Sequence, residues 1–327
     1  MMLVTALLLL ALPAPTGIYR VGTTSTIDLV DESRRETAVT DRAVRRQVLI
    51  QLWYPAADSR GRTAPYIERL SAYEGLILPQ RMSVYRKLWT NAILDSTPIR
   101  GKRLPVVLFS HGWQANRREY TIMAEELASQ GFFVCGVDHP YMGQIALRNG
   151  VVTPSIDSQF ETAVAASNYY AADILFAIGA LRTMSATPGS RFANVFDLGS
   201  IGLIGHSSGY GAVRDAAVAD PAIRCIVNVD ASEKHPERMQ GLAQPILWIR
   251  LERAAPPPAG FSTTELSVPN ATHGSVMDDP YLFASPESTR DTRLRTLRTI
   301  LDSIVHFMNA SLKGNPMRSR SAEPARP

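Results

Sequence analysis

Residues 200–219 read SIGLIGHSSGYGAVRDAAVA. The opening SIGLIG is apolar without polar alternation, which suits a strand covered on both faces. The closing GYGAVRDAAVA is rich in alanine and suits a helix. Between them stands Gly205-His206-Ser207-Ser208-Gly209, a G-x-S-x-G pattern in a strand–turn–helix setting. A sharp turn there lifts a serine hydroxyl above the sheet edge. Small residues on either side let backbones approach, and the helix N-terminus aims N–H groups at developing charge. The pattern by itself arises often by chance, and a Gly/Ser-rich turn needs no chemistry. In this setting it predicts Ser207 as a nucleophile.

Working outward, the chain alternates short apolar runs with helical ones from Arg103 onward. PVVLFSH, GFFVCGVDH, CIVNVD, QPILWIRL and TELSV read as strands. YTIMAEELASQG, with Gly131 as its stop, SQFETAVAASNYYAADILFAIGALRTM and RDTRLRTLRTILDSIVHFMNASL read as helices. Earlier, TSTIDLVD and RRQVLIQLWYPA are β-rich, and 57–103 is irregular with weakly helical pieces, LSAYEGLILP and VYRKLWTNAIL. The pattern predicts an α/β-hydrolase fold: a mostly parallel central sheet, antiparallel strands at its N-terminal edge, and helices on both faces. The expected divisions are a signal peptide over 1–17, the domain over 18–312, and a disordered tail over 313–327.

Composition narrows the function. The chain has 327 residues, 45% hydrophobic and 20% charged, enough to bury a large core without staples. Its net charge is +4, of which the Ser311–Pro327 tail carries +3, so no basic stripe with interleaved aromatics points to nucleic acid. Cys135 and Cys225 both sit in apolar runs and read as buried thiols. The run MMLVTALLLLALPAP is too short to span a membrane and resembles the apolar part of a secretory signal, though no Lys or Arg precedes it. It points to a secreted or periplasmic protein, and to a cytoplasmic one if the run is not a signal. No repeat is visible, and no ligand-type residues cluster at metal spacing, so neither cofactor nor metal is expected.

A nucleophilic serine needs a base and an acid. Of the six histidines, His206 lies inside the elbow, His111 and His139 follow early strands, His306 lies on the last helix, and His235 sits in a loop. His273, in VPNATHGSVMDD after the last short strand, matches the Ser–acid–His order of this fold. Two acids compete. Glu252 closes the PILWIRLE strand, the commoner position, but Arg253 adjoins it and a proline run follows. Asp230 closes CIVNVD cleanly and is favoured. The loop after PVVLFSH and the residue after the nucleophile would supply the oxyanion hole, from the backbone N–H groups of Trp113 and Ser208.

These segments resemble the plasma-type (isoform II) platelet-activating factor acetylhydrolase family of α/β hydrolases. The likeness covers most of 18–310. It includes YRVG, LWYPA, LFSHG, GFFVCGVDHP, GHSSG, NVDAS and the His273 loop with Asp278 five residues on. Tyr210 stands where that family has a second glycine. The resemblance implies a Ca²⁺-independent carboxylic ester hydrolase acting on short acyl chains, those of phospholipids included. It also implies an acid right after the nucleophile helix and its strand, which agrees with Asp230. Polyester hydrolases and dienelactone hydrolases share parts of these motifs and keep a non-lipid ester open. A non-catalytic binding module on the same scaffold is the competing class. The aromatic and leucine residues of 57–103 (Tyr66, Tyr73, Leu76, Leu78, Tyr85, Trp89) either pack on the sheet or wall an acyl pocket, with peripheral contact to a lipid surface.

Overall fold

A computed structural model describes residues 12–58, 60–156 and 163–314. Most of the N-terminal apolar run, the start of the helical stretch at 158 and the tail from 315 lie outside the described residues. The strands are β1 (Val21–Thr23), β2 (Ile27–Arg35), β3 (Arg45–Pro55), β4 (Thr63–Pro65), β5 (Trp89–Leu94), β6 (Leu104–Ser110), β7 (Phe133–Asp138), β8 (Phe196–His206), β9 (Ile223–Val229), β10 (Ile246–Arg250) and β11 (Thr263–Ser267). The α-helices are α1 (Pro79–Tyr85), α2 (Thr121–Ser129), α3 (Ala163–Ala186), α4 (Gly209–Ala219), α5 (Asp279–Leu282) and α6 (Glu287–Lys313).

All the strands form one sheet in the order β11-β10-β9-β8-β6-β7-β3-β1-β5-β4, with β2 beside β1 on the same edge of β3. From β7 to β11 the pairing is parallel. It turns antiparallel at β3. This is the α/β-hydrolase arrangement, with antiparallel strands at the N-terminal edge.

The lack of polar alternation in the central strands follows from two covered faces. Val106 and Leu108 of β6, Ile226 of β9 and Trp248 of β10 pack with α3 and α4. Their neighbours Val107, Phe109, Val227 and Leu247 point the other way, onto α2 and α6. Helix α6 meets the sheet with Leu297, Ile300, Leu301, Ile304, Phe307 and Met308, a three-and-four spacing that makes one apolar stripe. Helix α3 is apolar and long enough to cross a bilayer by composition alone, yet here it lies along the sheet and α4. Both cysteines are free and buried.

Residues 57–103 differ from expectation. WTNAIL, read as part of a helical piece, is β5 and pairs in parallel with β1. Its β-branched and aromatic content fits an edge strand, and the pairing partner lies too far away in sequence for local pattern to reveal. Of the apolar run, Leu12 joins the core, and Thr16 and Gly17 donate backbone N–H bonds to Glu126 and Ser129 of α2 at 3.0 Å each.

A buried ionic cluster ties α3 to the sheet. Asp173, fully enclosed, accepts from Arg46 at 2.6 Å and from Arg34 at 2.8 Å. It also binds the His139 ring at 2.9 Å, and His139 in turn binds Ser110 Oγ at 2.9 Å. The Arg46 guanidinium and the His139 ring keep the Asp173 carboxyl far below its usual range despite burial that opposes its charge. Removing one member of such a cluster strands the others in low dielectric. Asp173→Ala is expected to lower unfolding free energy by roughly 3–5 kcal/mol, read by urea denaturation. A loss under about 1 kcal/mol would show the cluster to be solvated enough to be dispensable.

Candidate active site

The elbow forms at the end of β8. Ser207 has φ +53°, a left-handed conformation uncommon for a residue with a side chain. Strand pairing ends there with Ser207 N–H donating to Val229 C=O at 2.9 Å, and α4 begins. Only glycines fit on either side. A Cβ on Gly205 would lie 2.5 Å from Tyr210 Cα, and one on Gly209 would lie 2.5 Å from the carbonyl oxygens of Ser110 and His111. Tyr210, in place of a second glycine, does not crowd the turn, because its ring turns to Trp248 with centroids 5.4 Å apart. The loop after β6 runs alongside, and Trp113 N–H donates to Ser208 Oγ at 3.2 Å.

Asp230 follows β9, also at positive φ, +55°. Its Oδ1 accepts backbone N–H bonds from Leu251 at 2.9 Å, Glu252 and Arg253 at 3.1 Å each, and Ala254 at 3.0 Å. Its Oδ2 binds His273 Nδ1 at 2.7 Å. Burial opposes the Asp230 charge. The His273 bond and the N–H groups of Ala254, Leu251 and Arg253 outweigh it and draw the pKa down to about 2. A carboxylate can only accept, so His273 carries its proton on Nδ1 and leaves Nε2 with a lone pair.

Sequence reasoning did not foresee how the His273 backbone is held. Its N–H donates to Glu252 Oε2 at 2.8 Å. Its carbonyl accepts from His206 Nε2 at 2.9 Å, and His206 Nδ1 accepts from the Tyr120 hydroxyl at 2.8 Å. Glu252, the competing acid, thus meets the backbone of His273, while Asp230 meets its ring. His111 binds the Gly112 carbonyl of its own loop at 2.8 Å and accepts from the His139 N–H, just after β7, at 3.1 Å. His306 is exposed on α6.

Ser207, Ser208, Trp113, Asp230 and His273 line one cavity of about 670 Å³, with His235 at its edge. Ser207 and His273 share its wall without a hydrogen bond between their side chains among the described residues, a contact that commonly tightens only with substrate. The apolar wall comes from Trp113, Met142, Val164, Ala166, Tyr170 and Tyr210. The aromatics of 57–103 are elsewhere: Tyr66 stacks on Tyr85 at 5.6 Å, Tyr66 and Tyr73 line a separate small cavity of about 50 Å³, and Leu76, Leu78 and Trp89 are exposed. The true wall draws on α3 and the turn after β7, whose apolar residues look like core in sequence.

Comparison with known proteins agrees with this architecture. A family model described as platelet-activating factor acetylhydrolase, isoform II, matches residues 9–146, a stretch that ends ahead of Ser207. A probable 1-alkyl-2-acetylglycerophosphocholine esterase of Arthroderma benhamiae is 23% identical, over 83% of this chain and 77% of its own length. A platelet-activating factor acetylhydrolase of Cavia porcellus is 24% identical over 67% of this chain, which spans 55% of that protein. This chain is a serine ester hydrolase similar to the isoform II platelet-activating factor acetylhydrolases. The fold of this hydrolase matches that of a ferulic acid esterase from Streptomyces cinnamoneus with a TM-score of 0.76 at 24% identity, over 97% of this chain and 96% of the other.

The buried histidines of this hydrolase contribute to its acid sensitivity. Burial holds His111 and His206 at about 3, well under the ordinary 6.5, so both are neutral in the fold. At these two sites the unfolded chain therefore binds more protons than the native one between pH 6.5 and about 3. Their contribution to stability is full above pH 6.5 and is lost as pH falls through it towards about 3, while Glu119 and Glu125, raised to about 7 by burial, pull the other way. Thermal unfolding measured at stepped pH reads the His206 contribution as a slope of Tm over this window. Replacing His206 with Gln should flatten the slope; an unchanged slope would mean other groups set it.

Proposed function

We propose that Ser207, His273 and Asp230 form the catalytic triad of this ester hydrolase. Ser207 Oγ attacks the ester carbonyl while His273 Nε2 takes its proton. The tetrahedral oxyanion is met by the N–H groups of Trp113 and Ser208, each worth about 3 kcal/mol by analogy with such donors. His273 then protonates the departing alcohol, leaving an acyl group on Ser207, and water activated by the same histidine releases the acid. Asp230 keeps the ring in the Nδ1–H tautomer and balances its charge as it becomes imidazolium. The observation that carries this reading is the 2.7 Å bond from His273 to an acid that four backbone N–H groups keep ionised, at the wall of the cavity that holds Ser207.

The relatives' names, with their acetyl esters of glycerophospholipids, support short-acyl esters, including short-acyl phospholipids, as substrates here. A compact polyester or another non-lipid ester is the second reading, since polyester and dienelactone hydrolases share parts of the same sequence motifs. Catalysis needs no Ca²⁺ in this scheme, since backbone donors stabilise the oxyanion. The apolar N-terminal run supports export to the periplasm or the medium.

Ser207→Ala should cut ester turnover by about 10³-fold or more with the fold intact, and should abolish labelling by a fluorophosphonate probe. A wild-type protein that the probe fails to label would favour a binding module instead. Asp230→Asn should lose on the order of 10⁴-fold in kcat, whereas Glu252→Gln, which touches only the His273 N–H, should lose about tenfold or less. The reverse order would move the acid one strand later.

Substrate range is read from p-nitrophenyl esters of rising chain length and short-acyl phospholipids, each with and without EDTA. Activity should peak at short chains and survive EDTA. A long-chain optimum would sink the short-acyl reading, and loss in EDTA would sink the metal-free scheme.

A further inference from the structure

The cavity around Ser207 is lined by apolar residues and also by a polar and charged stretch, 230–235 with residue 253. Each acid in that stretch is already neutralised. Asp230 is held by His273 and backbone N–H groups. Glu233 takes Arg214 Nη1 on both oxygens, at 2.8 and 2.7 Å. Arg214, itself buried, also reaches Asp215 at 2.8 Å. Two cations have no such partner: among the described residues, the side chains of Lys234 and Arg253 pair with no acid, and both are exposed.

Their backbones, in contrast, are fixed beside the reacting groups. Arg253 N–H donates to both oxygens of Asp230 at 3.1 Å, and its carbonyl accepts from Ser232 Oγ at 3.1 Å. Lys234 lies between Glu233 and His235, which are tied to each other by a 2.8 Å bond from His235 N–H to Glu233. Anchored backbones with free ammonium and guanidinium heads are what a rim for an anion requires. Both residues line the cavity that also holds Ser207 and His273, so an ester bound there lies within their reach.

We propose that Lys234 and Arg253 form an anion-recognising rim, and that the preferred substrates are esters bearing a phosphate or carboxylate group beyond the scissile carbonyl. The inference rests on Ser207 being the nucleophile of this cavity. The apolar wall takes the uncharged half of the ester, and the rim draws the charged half and sets which way round the ester lies. The cations are exposed, so their pull is screened by salt.

Matched ester pairs test it: 4-acetoxybenzoate against its methyl ester, and 1-acetylglycerol 3-phosphate against 1-acetylglycerol. The quantity read is the anionic-to-neutral ratio of kcat/KM, compared between proteins so that intrinsic reactivity cancels. In Lys234→Gln/Arg253→Gln the ratio should fall about tenfold, or about 1.4 kcal/mol, mainly through KM. Lys234→Arg/Arg253→Lys should keep it, and high salt should shrink it in the wild type. A drop confined to one pair assigns the rim to phosphate or to carboxylate. An equal ratio in wild type and the glutamine variant overturns the proposal. Binding of the product 4-hydroxybenzoate to Ser207→Ala, by calorimetry, reads the rim without turnover. Affinity that falls about tenfold on adding the two glutamines supports it, and unchanged affinity overturns it. Anion binding that depends on the rim, in a wild-type protein that hydrolyses none of the esters, would count against Ser207 alone.

Discussion

The Asp230 carboxylate is the point at which the site's separate stretches of chain are joined. Its Oδ1 gathers the N–H groups of 251, 252, 253 and 254, which turns the chain sharply as it leaves β10. Its Oδ2 holds the ring of His273, 43 residues later in sequence. Charge-assisted bonds of this kind are roughly twice as strong as neutral ones, and here one group makes several. The loop after β10 and the histidine loop are therefore set by one anion. Protonating it would loosen both together, which is why its pKa of about 2 matters to structure as much as to chemistry.

The same chain contains a second Ser–His–Asp series, and the contrast is instructive. Ser110, His139 and Asp173 are linked by bonds of 2.9 Å each, as short as many catalytic ones. All three are buried, and none lines the cavity at Ser207. Asp173 is also spent on Arg46 and Arg34. Residue types and distances alone would not separate the two series. Access does, together with the backbone of the serine: Ser110 closes a regular strand, while Ser207 sits at a positive φ with a helix N-terminus behind it. The buried series fixes α3 against the sheet, and α3 in turn supplies Val164, Ala166 and Tyr170 to the cavity.

What sequence could reveal follows from which forces are local. The central strands were legible because burial on both faces leaves an uninterrupted apolar run, as in LPVVLFS of β6. The elbow was legible because steric exclusion at Gly205 and Gly209 leaves only one residue type. WTNAIL was not, because its pairing with β1 joins residues some 70 positions apart (Thr23 with Leu94) and a short edge strand has no periodicity of its own. The cavity wall was not legible either. Met142 and Tyr170 have the character of core residues, and nothing local separates a side chain that fills a core from one that lines a hollow. Choosing between Asp230 and Glu252 needed the turn after β10. Both acids reach His273, one at the ring and one at the backbone, and sequence order cannot separate those contacts.

His273 shows how a mobile element becomes a fixed one. It stands at the start of a short 3₁₀ turn rather than on a strand or long helix, a setting that by itself holds a side chain loosely. Its N–H is taken by Glu252, its carbonyl by His206, and its Nδ1 by Asp230. Those three anchors come from the loop after β10, from the end of β8 and from the end of β9, so the histidine is triangulated by neighbouring parts of the rigid sheet. His206 can play its part only as a neutral ring with its proton on Nε2, and burial together with the Tyr120 hydroxyl keeps it so. The one polar atom of His273 without a protein partner among these contacts is Nε2, the atom that must be free to take a proton. Satisfying every other polar atom of the residue removes the alternative ring orientations in which Nε2 would be spent elsewhere. The reactive lone pair is defined by elimination, from bonds that touch no substrate.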